Sequence, residues 1–224
     1  MTEARPEPGA DHELVDYYRR RAGEYEAIYA LPERQADLAR LRSMLAARLA
    51  GTRVLELACG TGYWTTLIAT VAKSVLATDF SEEPMRIARA KSYPPGKVRF
   101  ELADAYALEA ALGRFDAAFA GFWWSHVPRE RIDEFLASLH ARLEPGARVL
   151  LLDNLYVEGN STPVAEIDKV GNTYQMRTLG DGSRVRVLKN FVSQTELRER
   201  FAPCAASFSF EALQYYWLAE YRLK

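Results

Sequence analysis

The chain has 224 residues, of which 49% are hydrophobic and 26% are charged, a composition typical of a globular protein with a sizeable core. This length fits one α/β domain with an insertion better than two independent domains. The formal net charge is −1 and the isoelectric point is about 6.4. Because proteins that grip a nucleic-acid backbone usually carry a basic excess, the sequence predicts no nucleic-acid partner.

Cysteine and histidine are scarce in this chain. Cys59 and Cys204 lie far apart and only three histidines accompany them, so we expect neither a disulfide framework nor a metal site. No apolar run approaches the roughly 18 residues that span a bilayer. Residues 1–11 are polar and lack the pattern of a signal peptide. We therefore expect a cytoplasmic protein with no membrane partner.

Two helices are predicted before the first strand. The first runs from Glu13 to Tyr29, and Pro32 interrupts it. The second runs from Gln35 to Leu49, with leucines at helical spacing. The first helix is dense in tyrosine: Tyr17, Tyr18, Tyr25 and Tyr29. We expect residues 12–50 to form a helical lid.

Strands and helices then alternate through residues 51–153, the predicted core. The strands are predicted at Arg53–Ala58, Ser74–Asp79, Val98–Glu101, Phe115–Gly121 and Ala147–Asp153. Three helices are predicted between these strands. The first follows the first strand and ends at about Ala72, and the second runs from its cap, Ser81, to Ala90. The third runs from Glu130 to Leu143, and Pro145-Gly146 ends it. Near-continuous apolar strands separated by helices indicate a parallel sheet that is buried on both faces.

The last third of the chain changes character. Residues 154–191 read as an insertion with a β-hairpin, whose strands Thr173–Leu179 and Arg184–Phe191 flank a glycine-rich turn. Residues 192–224 are predicted as a helix, which Ser193 and Glu196 begin with a capping box, and a pair of strands. The whole chain is thus interpreted as a single domain.

The strongest functional signal is the first strand and the turn after it. Gly60 and Gly62 remove the Cβ atoms that would block a ligand from the backbone, and the following helix offers unpaired N–H groups to an anion. Asp79 lies nineteen residues after Gly60, at the tip of the second strand. An acid at about that spacing holds a ribose diol in nucleotide-binding folds. Strand, turn, helix and acid together predict a nucleotide site.

The motif also indicates which nucleotide binds. The dinucleotide fingerprint would place glycine at position 65, which is Thr65 here. The stretch instead resembles the first motif of the class I S-adenosylmethionine-dependent methyltransferases, acid-x-Gly-x-Gly-x-Gly, with Glu56, Ala58, Gly60 and Gly62 in its key positions. Alanine thus replaces the first glycine. The resemblance covers about Tyr17 to Gly146.

This resemblance implies the fold and the cofactor contacts. The fold would be a seven-stranded, mostly parallel Rossmann-like sheet with helices on both faces, an N-terminal helical lid and an inserted β-hairpin. The cofactor would be S-adenosylmethionine, leaving as S-adenosylhomocysteine. Asp79 would hold the ribose, Phe80 would flank the adenine, and Asp104 beside Ala105 would meet the adenine amino group. Phe122 would line the methionine arm, with Tyr25 as a further cofactor contact. Structural alternatives exist: Asp79 as a helix cap, Asp104 as a loop carboxylate and Phe122 as a core residue.

The acceptor side is predicted to be aromatic, because flat rings suit a planar substrate and tolerate a neighbouring sulfonium. The candidate substrate residues are Tyr18, Trp123, Trp124, Tyr156 and Tyr174. His126 is the candidate general base, although a histidine there more often orients a loop. We expect the insertion either to cover the acceptor pocket or to build a homodimer contact.

The predicted function is methyl transfer to an oxygen, nitrogen or sulfur atom of a small, aromatic or amphipathic metabolite. One alternative is a non-catalytic protein that only binds S-adenosylmethionine. An RNA or protein methyltransferase is a weaker alternative, because Gly-Phe-Trp-Trp stands where an Asn-Pro-Pro-aromatic motif would be expected. A reductase that uses NAD(P) is disfavoured by Thr65, which stands where the dinucleotide fingerprint needs glycine.

Overall fold

The computed structural model describes residues 25–224. Tyr17, Tyr18 and the side chain of Tyr25 therefore lie outside the described residues. The described end of the predicted first helix is a 3-10 helix over Tyr25–Ala30, and a second 3-10 turn follows at Pro32–Arg34.

Five α-helices lie in the described part of the chain: α1 Gln35–Leu49, α2 Tyr63–Val71, α3 Glu82–Arg89, α4 Ile132–His140 and α5 Gln194–Phe201. Helix α1 has the predicted bounds. The predicted capping box of α5 is also present, because Ser193 Oγ accepts from the Glu196 N–H at 3.2 Å and the Glu196 carboxylate accepts from the Ser193 N–H at 2.7 Å. Ser81 precedes α3 as expected, but its side chain makes no capping hydrogen bond.

Seven strands form the central sheet, in the spatial order β3-β2-β1-β4-β5-β10-β9. They are β1 Arg53–Leu57, β2 Ser74–Asp79, β3 Val98–Leu102, β4 Phe115–Gly121, β5 Leu143–Asn154, β9 Ala205–Ala212 and β10 Tyr216–Leu223. The first five run parallel to one another, β10 runs antiparallel to β5, and β9 runs antiparallel to β10 and thus in the same direction as the first five. The predicted fold class is confirmed. The carboxyl ends of β1 to β5 share one edge, where Tyr216 pairs with Asn154.

The boundary between α4 and β5 was predicted wrongly. The helix ends at His140, and Leu143 already pairs with Phe115 as the start of β5. Ala117 then pairs with Arg148, so the β5 side holds extra residues in an irregular stretch that contains Pro145 and Gly146. Gly146 takes a positive φ of 74° there. Pro145 and Gly146 therefore lie in a bulge within β5 and do not separate the helix from the strand.

Each face of the central sheet buries its own core. One face packs against α1 and α2, with Leu41, Leu45 and Ile68 fully buried. The other packs against α4 and α5, where Phe135 and Phe201 are fully buried. Burial on both faces accounts for the near-continuous apolar strands.

The insertion forms a second, three-stranded sheet in the order β6-β7-β8. The predicted hairpin is present as β7 Thr173–Thr178 and β8 Arg184–Leu188, and the two-residue strand β6, Glu166–Ile167, was not predicted. In residues 25–224, no helix is long and apolar enough to cross a membrane.

Gly62 is required by packing between α2 and α3. Its φ is 77°, and a Cβ there would lie 2.7 Å from the Tyr93 hydroxyl and 2.9 Å from Ala88 Cβ. Gly60 has a similar φ of 56°, but no atom of residues 25–224 lies within 4 Å of the added carbon. The two glycines of the motif therefore have different roles: Gly62 allows α3 to pack closely against the start of α2, and Gly60 leaves space open beside the loop.

We expect Gly62→Ala to lower the free energy of unfolding by about 3 kcal/mol, because left-handed strain and overpacking each cost about 1–3 kcal/mol. Gly60→Ala is the matched control and should cost about 1 kcal/mol, from strain alone. Urea unfolding measures both variants. Equal losses would contradict the packing role assigned to Gly62.

Candidate active site

The loop after β1 folds back on itself through three residues with positive φ. Ala58 (49°), Gly60 (56°) and Gly62 (77°) are all in this conformation. Two backbone hydrogen bonds fix the loop: Cys59 donates to the Thr78 carbonyl at 2.9 Å, and Gly62 donates to the Cys59 carbonyl at 3.0 Å. Ala58 thus stands in a conformation that usually selects glycine. The loop is preformed for a ligand that approaches at Gly60.

Asp79 joins this loop to the end of β2. One carboxylate oxygen accepts from the Gly60 N–H at 2.8 Å, and the other accepts from the Ser81 N–H at 2.9 Å. Burial raises the pKa of Asp79, while these backbone donors oppose the shift. Each oxygen keeps a lone pair for a further donor. The side chain is therefore positioned to accept from two adjacent hydroxyls, as a ribose presents them.

Glu56 lies beneath the loop, almost completely buried, and its Oε2 has no hydrogen-bond partner in the described part of the chain. Burial raises its pKa to about 8, the nearby Asp79 charge adds to the shift, and the Thr65 hydroxyl opposes it. A buried acid without a partner is costly. This oxygen is suited to the ammonium group of an amino-acid ligand.

The predicted adenine contacts lie on the neighbouring strand ends. Phe80 exposes 63% of its surface directly after Asp79. Ala103 donates to the Asp79 carbonyl at 2.9 Å, which ties the loop after β3 to the end of β2. In that loop Asp104 is exposed and accepts from the Tyr106 N–H at 2.8 Å, and Ala105 is half-buried. The fold thus brings these three predicted residues to one side of the glycine loop.

Phe122 begins an aromatic wall at the end of β4. Its φ of 59° is unusual for a bulky residue and is the kind of strain that collects at functional sites. Its ring lies 6.1 Å from that of Tyr29 and 5.6 Å from that of Tyr216. Tyr29 in turn stacks on Tyr63 at 3.7 Å. Sequence reasoning missed Tyr63 and Tyr216 as members of this wall.

The described end of the lid is fastened to the glycine loop. Glu26 accepts a hydrogen bond from the Thr61 hydroxyl at 2.6 Å and forms an ion pair with Lys91. Gln35 donates to the Tyr29 carbonyl at 2.9 Å, which holds the wall tyrosine from the other side. The described part of the predicted lid therefore contacts the glycine loop through Glu26 and approaches Phe122 through Tyr29, and its role as a lid stays a prediction.

A buried ion pair, which was not predicted from the sequence, lies at the carboxyl ends of β4 and β5. The Lys189 ammonium donates to Ser125 Oγ at 2.6 Å, Asp153 Oδ1 at 2.9 Å and Asn154 Oδ1 at 3.0 Å. Burial lowers the pKa of Lys189, and the Asp153 charge opposes this. Burial raises the pKa of Asp153, but the Lys189 charge, the nearby His126 and the backbone N–H groups of Ser125 and Asn154 together outweigh that effect, so this pKa lies below its ordinary value. The ammonium and the carboxylate, 2.9 Å apart, have the geometry of an ion pair.

His126 lies inside the protein rather than at an open rim. It is 3% exposed, and Nδ1 lies 2.6 Å from the Leu188 carbonyl, so the ring joins the loop after β4 to the insertion. Burial and the charge of Lys189 lower its pKa to about 3. The general-base role stays a prediction, and this burial argues against it and favours the structural alternative.

The predicted acceptor-side tryptophans differ in burial. Trp124 is buried and packs against Phe135 and Phe201, at centroid distances of 6.3 and 5.5 Å, on the α4–α5 face of the sheet. Trp123 is half-buried beside Tyr106, with ring centroids 5.8 Å apart. The arrangement favours a core role for Trp124. Both acceptor roles stay predictions.

The predicted tyrosines of the insertion have different surroundings. Tyr174 is buried, donates to Asp168 at 3.2 Å and has the Arg186 guanidinium 3.3 Å above its ring. Tyr156 is exposed after β5 and meets Phe191 edge to face at 5.2 Å. The contacts of Tyr174 are those of a structural residue, whereas Tyr156 is accessible to a ligand. Neither substrate role is tested by these contacts.

Comparison with known proteins supports the interpretation of this edge of the central sheet as a cofactor site. A family model described as "Methyltransferase domain" matches residues 54–146. The structure of DhpI in complex with SAH superposes with a TM-score of 0.78, at 31% identity, over 96% of this chain and 97% of that chain. The chain belongs to the class I S-adenosylmethionine-dependent methyltransferases.

Curated methyltransferases also resemble the chain. A demethylmenaquinone methyltransferase of Clavibacter sepedonicus is 31% identical over 152 residues, which is 67% of this chain and 58% of that protein. A ubiquinone biosynthesis O-methyltransferase of Xanthomonas axonopodis is 34% identical over 153 residues, 66% and 59% of the two chains. The chain therefore spans less than two thirds of the length of these relatives. The predicted family, enzyme class and cofactor are confirmed.

For this methyltransferase we expect Asp79→Ala to weaken binding of S-adenosylhomocysteine about 30- to 150-fold, because the ribose loses charge-assisted hydrogen bonds worth roughly 2–3 kcal/mol. Calorimetric titration measures the affinity. Glu83→Gln, an exposed carboxylate in the first turn of α3, is the control and should bind as the wild type does. Unchanged affinity in a folded Asp79→Ala protein would refute the ribose assignment.

Glu56 leads to a pH prediction. With a pKa of about 8 it is mostly protonated at pH 7, and an arriving ammonium group favours the ionised form. The complex then holds fewer protons than the free protein, so affinity for S-adenosylhomocysteine should rise from pH 6 to pH 8.

Titration in buffers of different ionisation enthalpy should detect the released proton. Binding to the Glu56→Gln variant should release up to one proton fewer than binding to the wild type. Because the ligand's own ammonium group contributes to both titrations, the difference between them reports Glu56. Identical proton release by the variant and the wild type would place the ammonium elsewhere.

Proposed function

We propose that the protein transfers the methyl group of S-adenosylmethionine to an oxygen, nitrogen or sulfur atom of a small molecule. The observation that carries this proposal is the meeting of two features at one sheet edge: the Asp79–Gly60 loop and the aromatic wall around Phe122. The relatives named for demethylmenaquinone and for ubiquinone biosynthesis support a small-molecule acceptor.

The bound cofactor supplies a methyl group on a positively charged sulfur, and an acceptor electron pair displaces that sulfur in line while forming the new bond to carbon. The residues of this chain provide position and environment for that displacement. Asp79 and the glycine loop fix the nucleoside end. The rings of Tyr29 and Phe122 keep water out and face the region of positive charge with their π systems.

The surroundings of His126 favour an acceptor atom that is nucleophilic without a dedicated base. At a pKa of about 3 the ring is neutral at physiological pH, but it is enclosed by the loop after β4 and the insertion. A neutral amine, a thiolate or an oxyanion needs proximity and alignment rather than proton removal in the transition state. We therefore propose such an acceptor, presented by an aromatic or amphipathic molecule to the wall.

The remaining features stay predictions. A homodimer could use the insertion, where Ile167 and Val170 expose 67% and 57% of their surface beside the short strand β6. The predicted cytoplasmic location and the predicted lack of nucleic-acid binding rest on the sequence alone. The division into lid (12–50), core (51–153), insertion (154–191) and C-terminal part (192–224) is likewise a proposal.

Transfer of a radiolabelled methyl group tests the function directly. We expect purified protein to move label from S-adenosylmethionine to a member of a panel of small phenols, amines, thiols and organic acids. Asp79→Ala, at subsaturating cofactor, should lose at least 90% of that rate. In the same preparation, titration with S-adenosylhomocysteine and NADH checks the site, and we expect only the former to bind.

The panel is then extended to the metabolites of a cell extract. If S-adenosylhomocysteine binds tightly but no methyl group is transferred to any of these molecules, the non-catalytic alternative is favoured. Transfer to protein or RNA in those extracts, and not to small molecules, would replace the proposed acceptor class. Binding of NADH alone would contradict the cofactor assignment.

A further inference from the structure

One face of the inserted hairpin is aimed at the acceptor edge of the central sheet. In the antiparallel register Gln175 pairs with Val187 and Arg177 pairs with Val185, so these four side chains share a face. Lys189 continues the same alternation and donates to Thr173 O through its backbone N–H at 2.8 Å. Because its side chain reaches the ends of β4 and β5, this face is the one turned towards the active site.

Arg177 is held on this face by a single neighbour. Its Nε donates to Gln175 Oε1 at 3.1 Å, and one terminal nitrogen donates to the same oxygen. Gln175 is buried and is itself oriented, because its amide donates to the Thr162 carbonyl. Within residues 25–224, the other terminal nitrogen of Arg177 has no hydrogen-bond partner, and no carboxylate forms an ion pair with the guanidinium.

The charges on this face do not balance. Lys189 and Asp153 neutralise each other, and the three protons of Lys189 are used within the protein. Arg177 adds a positive charge close enough to lower the pKa of both His126 and Lys189. The opposite face of the hairpin is different, because there Arg186 is paired with Glu166 at 2.8 Å. Among the described residues, the inner face of the hairpin, which is the face turned towards the active site, therefore carries one unmatched cation.

From this arrangement we propose that the methyl acceptor carries an oxyanion, which is either a carboxylate or a phosphoryl group, and that Arg177 binds this anionic group at the inner face of the hairpin. This inference rests on the proposed function and names its substrate class. A guanidinium presents a planar fork of donors that matches two oxyanion oxygens. Gln175 preorganises the fork, so less side-chain entropy is lost when the anion binds.

The buried pair assists this binding without touching the ligand. Lys189 fixes the hairpin to Ser125, Asp153 and Asn154, and so sets the distance between Arg177 and the sheet edge. Lys189 is thus a positioning residue. Neutral analogues would leave the Arg177 charge uncompensated when they displace its water, which makes the site selective against them.

Anion binding by the wild-type protein tests the proposal without knowledge of the acceptor. The protein is saturated with S-adenosylhomocysteine and titrated calorimetrically with inorganic phosphate, benzoate or benzamide, with ionic strength held constant by NaCl. We expect saturable binding of phosphate or benzoate, and benzamide at least tenfold weaker than the anion that binds. Binding of phosphate alone assigns a phosphoryl group and binding of benzoate alone assigns a carboxylate.

Variants on the two faces of the hairpin locate the anion. Arg177→Gln should weaken anion binding at least tenfold and leave the affinity for S-adenosylhomocysteine unchanged. Arg184→Gln is the matched control, because Arg184 is exposed and shares the outer face with Arg186; it should bind the anion as the wild type does.

Failure of both anions to bind saturably would overturn the proposal, as would benzamide binding as tightly as benzoate or an Arg177→Gln affinity within twofold of the wild type. If the wild type does not bind S-adenosylhomocysteine, the proposed function itself is refuted. The two failures are therefore distinguishable in one set of titrations.

Discussion

The ion pair between Lys189 and Asp153 determines how the acceptor half of this protein is assembled. It links the end of β8 to the end of β5, and Ser125 after β4 completes the contact. Asn190 adds two bonds, from its N–H to the Ser125 carbonyl at 2.7 Å and from its side chain to the Val127 carbonyl at 3.1 Å. Removing one partner of such a pair costs roughly 3–5 kcal/mol, because the other charge is left buried alone. The insertion is thus part of the active-site edge.

The cofactor half depends on a different and more local bond. Asp79 accepts from the Gly60 N–H, and this bond spans only the two neighbouring strands β1 and β2. Its parts lie within one strand–helix–strand unit, where the parallel register fixes which residues meet. The same unit supplies the open space at Gly60 and the buried Glu56. A short stretch of sequence therefore specifies most of the cofactor site.

This contrast explains what sequence could and could not predict. Strands β1 to β4, α1 and the α5 capping box follow from local pattern, and they were predicted almost to the residue. The end of α4 was missed because Pro145 and Gly146, strong turn signals, serve a strand bulge whose pairing with β4 is not visible locally. Strand β6 was missed because two residues carry no periodicity. His126 looked accessible beside a candidate pocket, but Leu188 from the insertion encloses it.

The acceptor half resisted prediction because its polar groups come from distant parts of the chain. Lys189 stood in the sequence among Val187, Leu188 and Phe191, and a lysine at the end of such an apolar strand was the one local signal of a buried partner. Nothing nearby identified Asp153 as that partner, since 36 residues separate them. Arg177 could be placed on a hairpin face, but only the register and the buried pair show which face turns inward. If the proposed acceptor site is correct, its specificity depends on how the insertion attaches to the sheet, whereas the cofactor site depends on Asp79 and the glycine loop within one local unit.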